Sequence, residues 1–284
     1  MLLKRLVRHG LLLLLTMLLG GWAGAMLVRF APGFDTDEAQ MDATRSAASI
    51  EAMRTDHEAQ RNVLVYYAIY LGRVAHGDFG ESRTFRRPVR ELLSERMGAT
   101  WDLVRFGFLA GVGLGFLVAV GAVYSRVVDR VGTVLSSGLL CLPSAIGAVA
   151  ALVLDGPVWL CISAVIFPRV FRYSRDLLVN AAEAPHVLAA RARGVSVGGL
   201  FLRHLLPPAM PQTFALLGIT VSTAMAADIP VEVLAGIPGI GQLAWQAANG
   251  RDLPVLITLT MLLGAVAIVA NALADIGANG WRAE

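Results

Sequence analysis

The stretch Asn180–Pro211, NAAEAPHVLAARARGVSVGGLFLRHLLPPAMP, is a charged island between long apolar runs. The chain around it has 284 residues, 56% of them hydrophobic. Arginines are costly in hydrocarbon, so the island has to face water. Ala189–Arg193 and Leu200–Leu206 read as two short helices, with Gly194, Ser196, Gly198 and Gly199 breaking the chain between them. Arg191 and Arg193 sit on the first, Arg203 and His204 on the second. The pattern describes a compact basic elbow held close to a membrane surface.

Working outward, the charges thin and segregate. Only 16% of residues are charged, against about 25% in a soluble domain. Pro211–Ala227 and Leu253–Leu273 carry none. The fold class is therefore an all-α polytopic membrane protein. The net charge is +3, and its basic residues near span ends have a plain role, since Lys and Arg favour the cytoplasmic side. Nucleic acid is excluded as a partner, because no interleaved aromatic surface accompanies Arg83, Arg86, Arg87 and Arg90. Cys141 and Cys161 lie in apolar runs and read as small buried hydrophobes, not as a disulfide or metal site. His204 has no metal-ligand neighbours at diagnostic spacing. No Gly-x-x-x-x-Gly-Lys-Ser/Thr loop is present, so the chain is not expected to hydrolyse ATP, and no nucleophile–base set points to an enzyme. No cofactor is implied.

Six spans are expected: Leu11–Val28, Thr100–Val123, Val131–Leu154 with a kink at Pro143, Pro157–Val170 extending to Tyr173, Gln212–Val233, and Leu253–Ile276. Lys4, Arg5 and Arg8 place the amino terminus inside. A signal peptide is the alternative for the first run, since Ala23, Gly24 and Ala25 follow its leucine-rich core. The chain then divides into 1–28, the amino terminus and first span; 29–98, a long external segment, largely helical over Ala39–Tyr70; 99–276, the membrane core containing 180–211; and 277–284, a cytoplasmic tail. Arg126, Asp129 and Arg130 read as a short inner loop, and Asp155-Gly156 as a tight outer turn.

Several residues inside the spans invite a role. Asp102 and Arg105 are spaced to pair across one helical turn. Gly107, Gly111, Gly113 and Gly115 form a small-residue face suited to close helix packing. Asp228 lies in an apolar run, with Glu232 one turn later on the same face. A charge there requires a cavity or a partner, so the two are candidates for the pathway, with a structural pair as the plainer reading. Asn271 and Asp275 share the same spacing near the end of the last span.

The order of several motifs resembles the permease subunits of ATP-binding-cassette importers, in the dipeptide, oligopeptide and nickel branch. Glu183-Ala184, then Ala190-Arg191-Ala192-Arg193-Gly194, then Arg203-His204 and Pro211 are similar to that family's cytoplasmic coupling loop. Gly77-Asp78-Phe79-Gly80 with Ser82, followed by Pro88-Val89 and Thr100, resembles its external motif before span two. Glu232 with Gly236, Pro238, Gly239 and Gly241 resembles the acidic residue and turn after span five, and Arg251-Asp252 with Pro254 the start of span six. The chain departs from the pattern at His186, Leu188, Pro207-Pro208 and its tail.

The resemblance implies a type I importer permease fold in a bacterial cell membrane, forming half of a pathway for peptides or related small solutes. It implies separate ATPase subunits that dock on Glu183, Ala184, Ala190, Arg191, Arg193, Gly194 and Arg203. It also implies a second homologous permease, with a homodimeric pore as the variant, and an external substrate-binding protein. The rivals are an ATPase-independent secondary transporter, for which no internal repeat is visible, and a structural subunit of a membrane complex.

Overall fold

The computed structural model describes residues 63–282 and scattered positions between Gly10 and Met26. The expected first span and the segment 29–62 thus lie largely outside the described residues. Among the described residues the chain is helical, with one isolated antiparallel bridge between Glu81 and Pro88. The helices are α1 (Val63–Ala75), α2 (Val89–Tyr124), α3 (Arg126–Leu140), α4 (Ser144–Val153), α5 (Trp159–Ala182), α6 (Pro185–Ala192), α7 (Val197–Leu200), α8 (Leu206–Ala235), α9 (Ile240–Asn249) and α10 (Leu253–Arg282), with a π-helical turn at Phe201–Leu205 joining α7 to α8. Two compact units form, Met1–Met97 with Leu243–Ala265, and Gly98–Gln242 with Val266–Glu284.

Three helical runs are long and apolar enough to cross a membrane: Val89–Tyr124, Val197–Ala235 and Leu253–Gly280. They fall where long apolar runs placed spans two, five and six. α2 starts well before the expected Thr100 and has 36 residues, about 54 Å of helix. The α5 run carries Arg169, Arg172, Arg175 and Asp176 in its 24 residues, so it does not join that set. Span three is not the kinked helix expected. α3 and α4 meet at 98° across Cys141–Pro143, with Pro143 in extended backbone as the cap of α4. Proline has no amide to continue the ladder, and here the helix ends outright.

In the first unit, α1 packs on the start of α10 through Tyr67, Tyr70, Leu253, Ile257 and Met261. The Tyr70 hydroxyl donates to Pro254 O at 3.1 Å and lies 2.5 Å from Thr258 Oγ1. In the second unit, α5 is central and receives α3, α4 and α8. The glycine face of α2 fits against α5 with a period of four. A Cβ at Gly107 would stand 2.7 Å from Ile162 Cβ, one at Gly111 2.8 Å from Ile166 Cβ, and one at Gly115 2.9 Å from Val170 Cβ. Gly113 does not belong to this face, because nothing lies within 4 Å of its Cβ position. Arg105 and Asp102 do pair, at 2.9 Å. α8 and the end of α10 also approach closely: Gly218 lies against Asn271, and Gly277 against Phe214.

Two local expectations need correction. Arg126, Asp129 and Arg130 are not loop residues. They form the first turns of α3, which Ser125 caps by accepting from Val128 N, and Asp129 pairs with Arg175 of α5. Leu200–Leu206 is not a separate short helix either. It runs into α8 as one stretch, Val197–Ala235. The Leu206 amide reaches back five residues to Phe201 O. This widened turn comes just where Pro207 and Pro208 lack donors, so the helix continues through them.

Candidate functional site

The island is built as follows. Ala184 is extended ahead of Pro185, as a residue before proline prefers, and Pro185 opens α6. α6 ends in a glycine cap: Gly194 has φ +79, Gly194 N donates to Arg191 O, and Val195 N to Ala190 O. Ser196 then caps α7 by accepting from Gly199 N at 3.3 Å. Val187 and Ala190 are fully buried in a core with Leu178, Leu200 and Leu205. Burying a valine contributes about 2 kcal/mol, so the elbow is pinned from beneath.

Its outer face holds Glu183, Arg191, Arg193, Gly194 and Arg203, all exposed, while Ala184 is half-buried and Ala190 points inward. Glu183 and Arg191 line one shallow hollow with Val123, Val179, Ala182 and Leu188. Sequence reasoning treated the island as basic and missed that Leu188 is 50% exposed, Val197 63% and Leu202 63%. All three stand on the same elbow as the exposed Arg191, Arg193 and Arg203.

A second construction closes the end of α8. Gly236, at φ +67, caps the helix with its amide on Glu232 O. Glu232 is fully buried. Its Oε1 accepts from Thr100 Oγ1 at 2.5 Å and its Oε2 from Gln242 N at 3.0 Å. Thr100 Oγ1 in turn accepts from Ile240 N at 2.7 Å. Gly239 and Gly241 pack on this carboxylate, and a Cβ at Gly239 would fall inside it. Pro238 stays exposed in the turn. Asp228, one turn back, is 1% exposed, and its Oδ1 has no hydrogen-bond partner. Both carboxylates expected at a pathway mouth are therefore enclosed within this chain.

The external motif forms a third construction. Gly77 and Gly80 take φ +80 and +73, and Asp78 Oδ1 accepts from Gly80 N at 2.8 Å. Phe79 O accepts from the Tyr70 hydroxyl at 3.3 Å. Ser82 Oγ donates to Asp252 Oδ2 at 2.5 Å, and Thr84 N donates to the same oxygen at 3.1 Å. Asp252 is fully buried. Ser82 N and Arg87 O close the hairpin at 2.9 Å. Arg87 makes a bidentate contact with Glu95, which raises its guanidinium above the ordinary value. Replacing Asp252 with alanine strands the Ser82 hydroxyl and the Thr84 amide, and is expected to cost about 3 kcal/mol. The check is limited proteolysis of the purified chain: cleavage within 77–88 should appear in the alanine variant and stay absent in a Glu81→Ala control.

Among the described residues no group of three or more His, Cys, Asp or Glu could hold a metal ion.

Residues 111–279 match the family described as "Binding-protein-dependent transport system inner membrane component". The matched stretch runs from α2 into α10 and takes in both the island and the Glu232 turn. A Brucella suis biovar 1 protein named as a peptide permease is 25% identical over 305 residues, covering 96% of this chain and 94% of that protein. The oligopeptide transport system permease protein of Escherichia coli K12 is 25% identical over 263 residues, covering 84% of this chain and 85% of that protein. These are transport permeases and not enzymes, and the apolar helices make this chain a multi-pass membrane protein. The family match spans more than half of the sequence, and the chain belongs to the inner-membrane components of binding-protein-dependent transport systems.

Proposed function

We propose that this chain is one permease half of an ATP-driven importer of peptides or related small solutes. A second, homologous permease completes the pathway, an ATPase pair docks from the cytoplasm, and a binding protein delivers cargo outside. On this reading the chain has six spans in a type I arrangement, with both termini inside and α3 and α4 together serving as span three. The observation that carries the proposal is the island's outer face: Leu188, Val197 and Leu202 exposed among Arg191, Arg193 and Arg203 on an elbow anchored by Val187 and Ala190. The ATPase covers that face, and its closure and opening bias the spans between two states of access. Glu232 serves as the clamp of the turn after α8, and Asp228, enclosed one turn back with one carboxylate oxygen unpartnered, is the candidate for the pathway only in the other state of access, where the spans have moved apart.

Gly194 supplies the test. A Cβ there meets nothing within 4 Å, although φ is +79. Alanine thus adds only left-handed strain, about 1–2 kcal/mol, whereas arginine also pushes a long cation toward whatever docks. Affinity isolation from mild detergent should yield an ATPase and a second permease with the native chain and with Gly194→Ala. Gly194→Arg should lose the ATPase and keep the permease. A well-folded native sample that brings down neither partner would overturn the proposal and favour the ATPase-independent transporter.

A further inference from the structure

We infer that Arg169 and Arg172 of α5 form an anion station that takes the free carboxylate of a transported peptide; this rests on the permease reading above. Three arginines stand on α5 at intervals of three. The last, Arg175, is matched by acids, pairing with Asp129 and, at 2.9 Å, with Asp176. The other two meet no carboxylate among the described residues. Arg169 Nη1 donates to Thr223 Oγ1 of α8 at 2.6 Å. Arg172 donates from Nε to Ser136 Oγ at 3.1 Å and from Nη2 to Ser137 Oγ at 2.6 Å, both on α3.

Each of those hydroxyls spends its own proton on its helix. Thr223 donates to Ile219 O at 3.2 Å, and Ser136 and Ser137 donate to Thr133 O at 3.0 and 2.8 Å. They are thereby fixed as acceptors, and they orient the guanidiniums without neutralising them. A guanidinium has five donors, so most of both forks stay unspent, and both side chains are exposed. Arginines that merely anchor a span reach along their own helix toward the interface. These two are tied sideways, one to α8 and one to α3. Fixed forks with no counter-charge match the planar, bidentate geometry of a carboxylate, and every unmodified peptide carries one at its end.

The test uses the complete transporter, with its partners, in phosphatidylcholine nanodiscs. Phenylglyoxal modifies free guanidiniums, and mass spectrometry reads the rate at each arginine. Trialanine, at about ten times its Kd, should slow modification of Arg169 and Arg172 about tenfold, in step with occupancy, while trialanine amide should not, and Arg175 should respond to neither. Equal slowing by the amide, no slowing, or slowing only when phosphatidylglycerol is added would overturn the station, the last result making it a lipid anchor. In proteoliposomes, the Arg169→Gln/Arg172→Gln pair should reduce trialanine uptake about tenfold with the ATPase still bound, and the Arg169→Lys/Arg172→Lys pair should recover part of it. Full uptake by the glutamine pair would also overturn the station. A native complex that takes up no peptide overturns the parent reading instead, and the modification rates still decide the station.

Discussion

Glu232→Ala is expected to lower the stability of the purified chain by about 3 kcal/mol, read as a fall in the apparent melting temperature in mild detergent. The side chain is fully buried and holds three strands of backbone to one point. Its loss leaves the Thr100 hydroxyl and the Gln242 amide without their acceptor, and it opens a void against Gly239 and Gly241. Glu232→Gln should cost less, because one acceptor oxygen survives, although its amide must then face a donor. Gly239→Ala should approach the effect of Glu232→Ala on its own, since its Cβ would occupy the space of the carboxylate. The two lesions share that space. In the Glu232→Ala background the added methyl should therefore cost much less than it does alone, a non-additivity of about 1 kcal/mol or more. Strict additivity would show that the glycine and the carboxylate do not compete.

The second large effect is expected at Gly111. Leucine there puts a Cβ 2.8 Å from Ile166 Cβ and 3.0 Å from Ser163 O. Neither can retreat, one being the branch point of a buried side chain and the other backbone. Overpacking of this kind costs about 3 kcal/mol, and α2 should lift from α5. Gly113→Leu, two residues along the same helix, puts its Cβ where nothing lies within 4 Å, on an exposed face, and should be close to neutral. Size-exclusion chromatography with a melting curve separates the two variants. Equal tolerance at 111 and 113 would overturn the period-four seam.

How far the residues announced this can be judged from those same places. Charge-free runs located α8 and α10, and a long apolar run located α2, because the cost of a charge in hydrocarbon is paid locally and reads directly from composition. The Asp102–Arg105 pair was equally local. Gly194 was legible as a break, and its left-handed backbone gives the reason. The face of α2 was half legible: four glycines stood out, but only the period of four selects a single side, which drops Gly113. Glu232 and Thr100 lie 132 residues apart and Ser82 and Asp252 lie 170 apart, and no local pattern reports such a meeting. The motifs that resembled the family marked Glu232, Gly239 and Ser82 without saying what they touch. Pro143 was seen, but a bend and a full stop have the same sequence sign. The exposure of Leu188, Val197 and Leu202 depends on which side of the elbow Val187 and Ala190 anchor.

The right-angled join between α3 and α4 bears on how the protein is made. By helical rise α3 reaches about 22 Å and α4 about 15 Å, against about 30 Å of hydrocarbon. On the six-span reading, neither piece is long enough to secure itself in the bilayer when it leaves the ribosome, and Pro143 at their junction has no amide to carry one helix into the next. Their support is α5 and α8, which are synthesised later. Ala148 of α4 is buried in the core that Cys161, Ile162 and Ala224 complete. On that reading biogenesis runs ahead of stability, because residues 126–153 lack their packing partners until α5 and α8 have been translated.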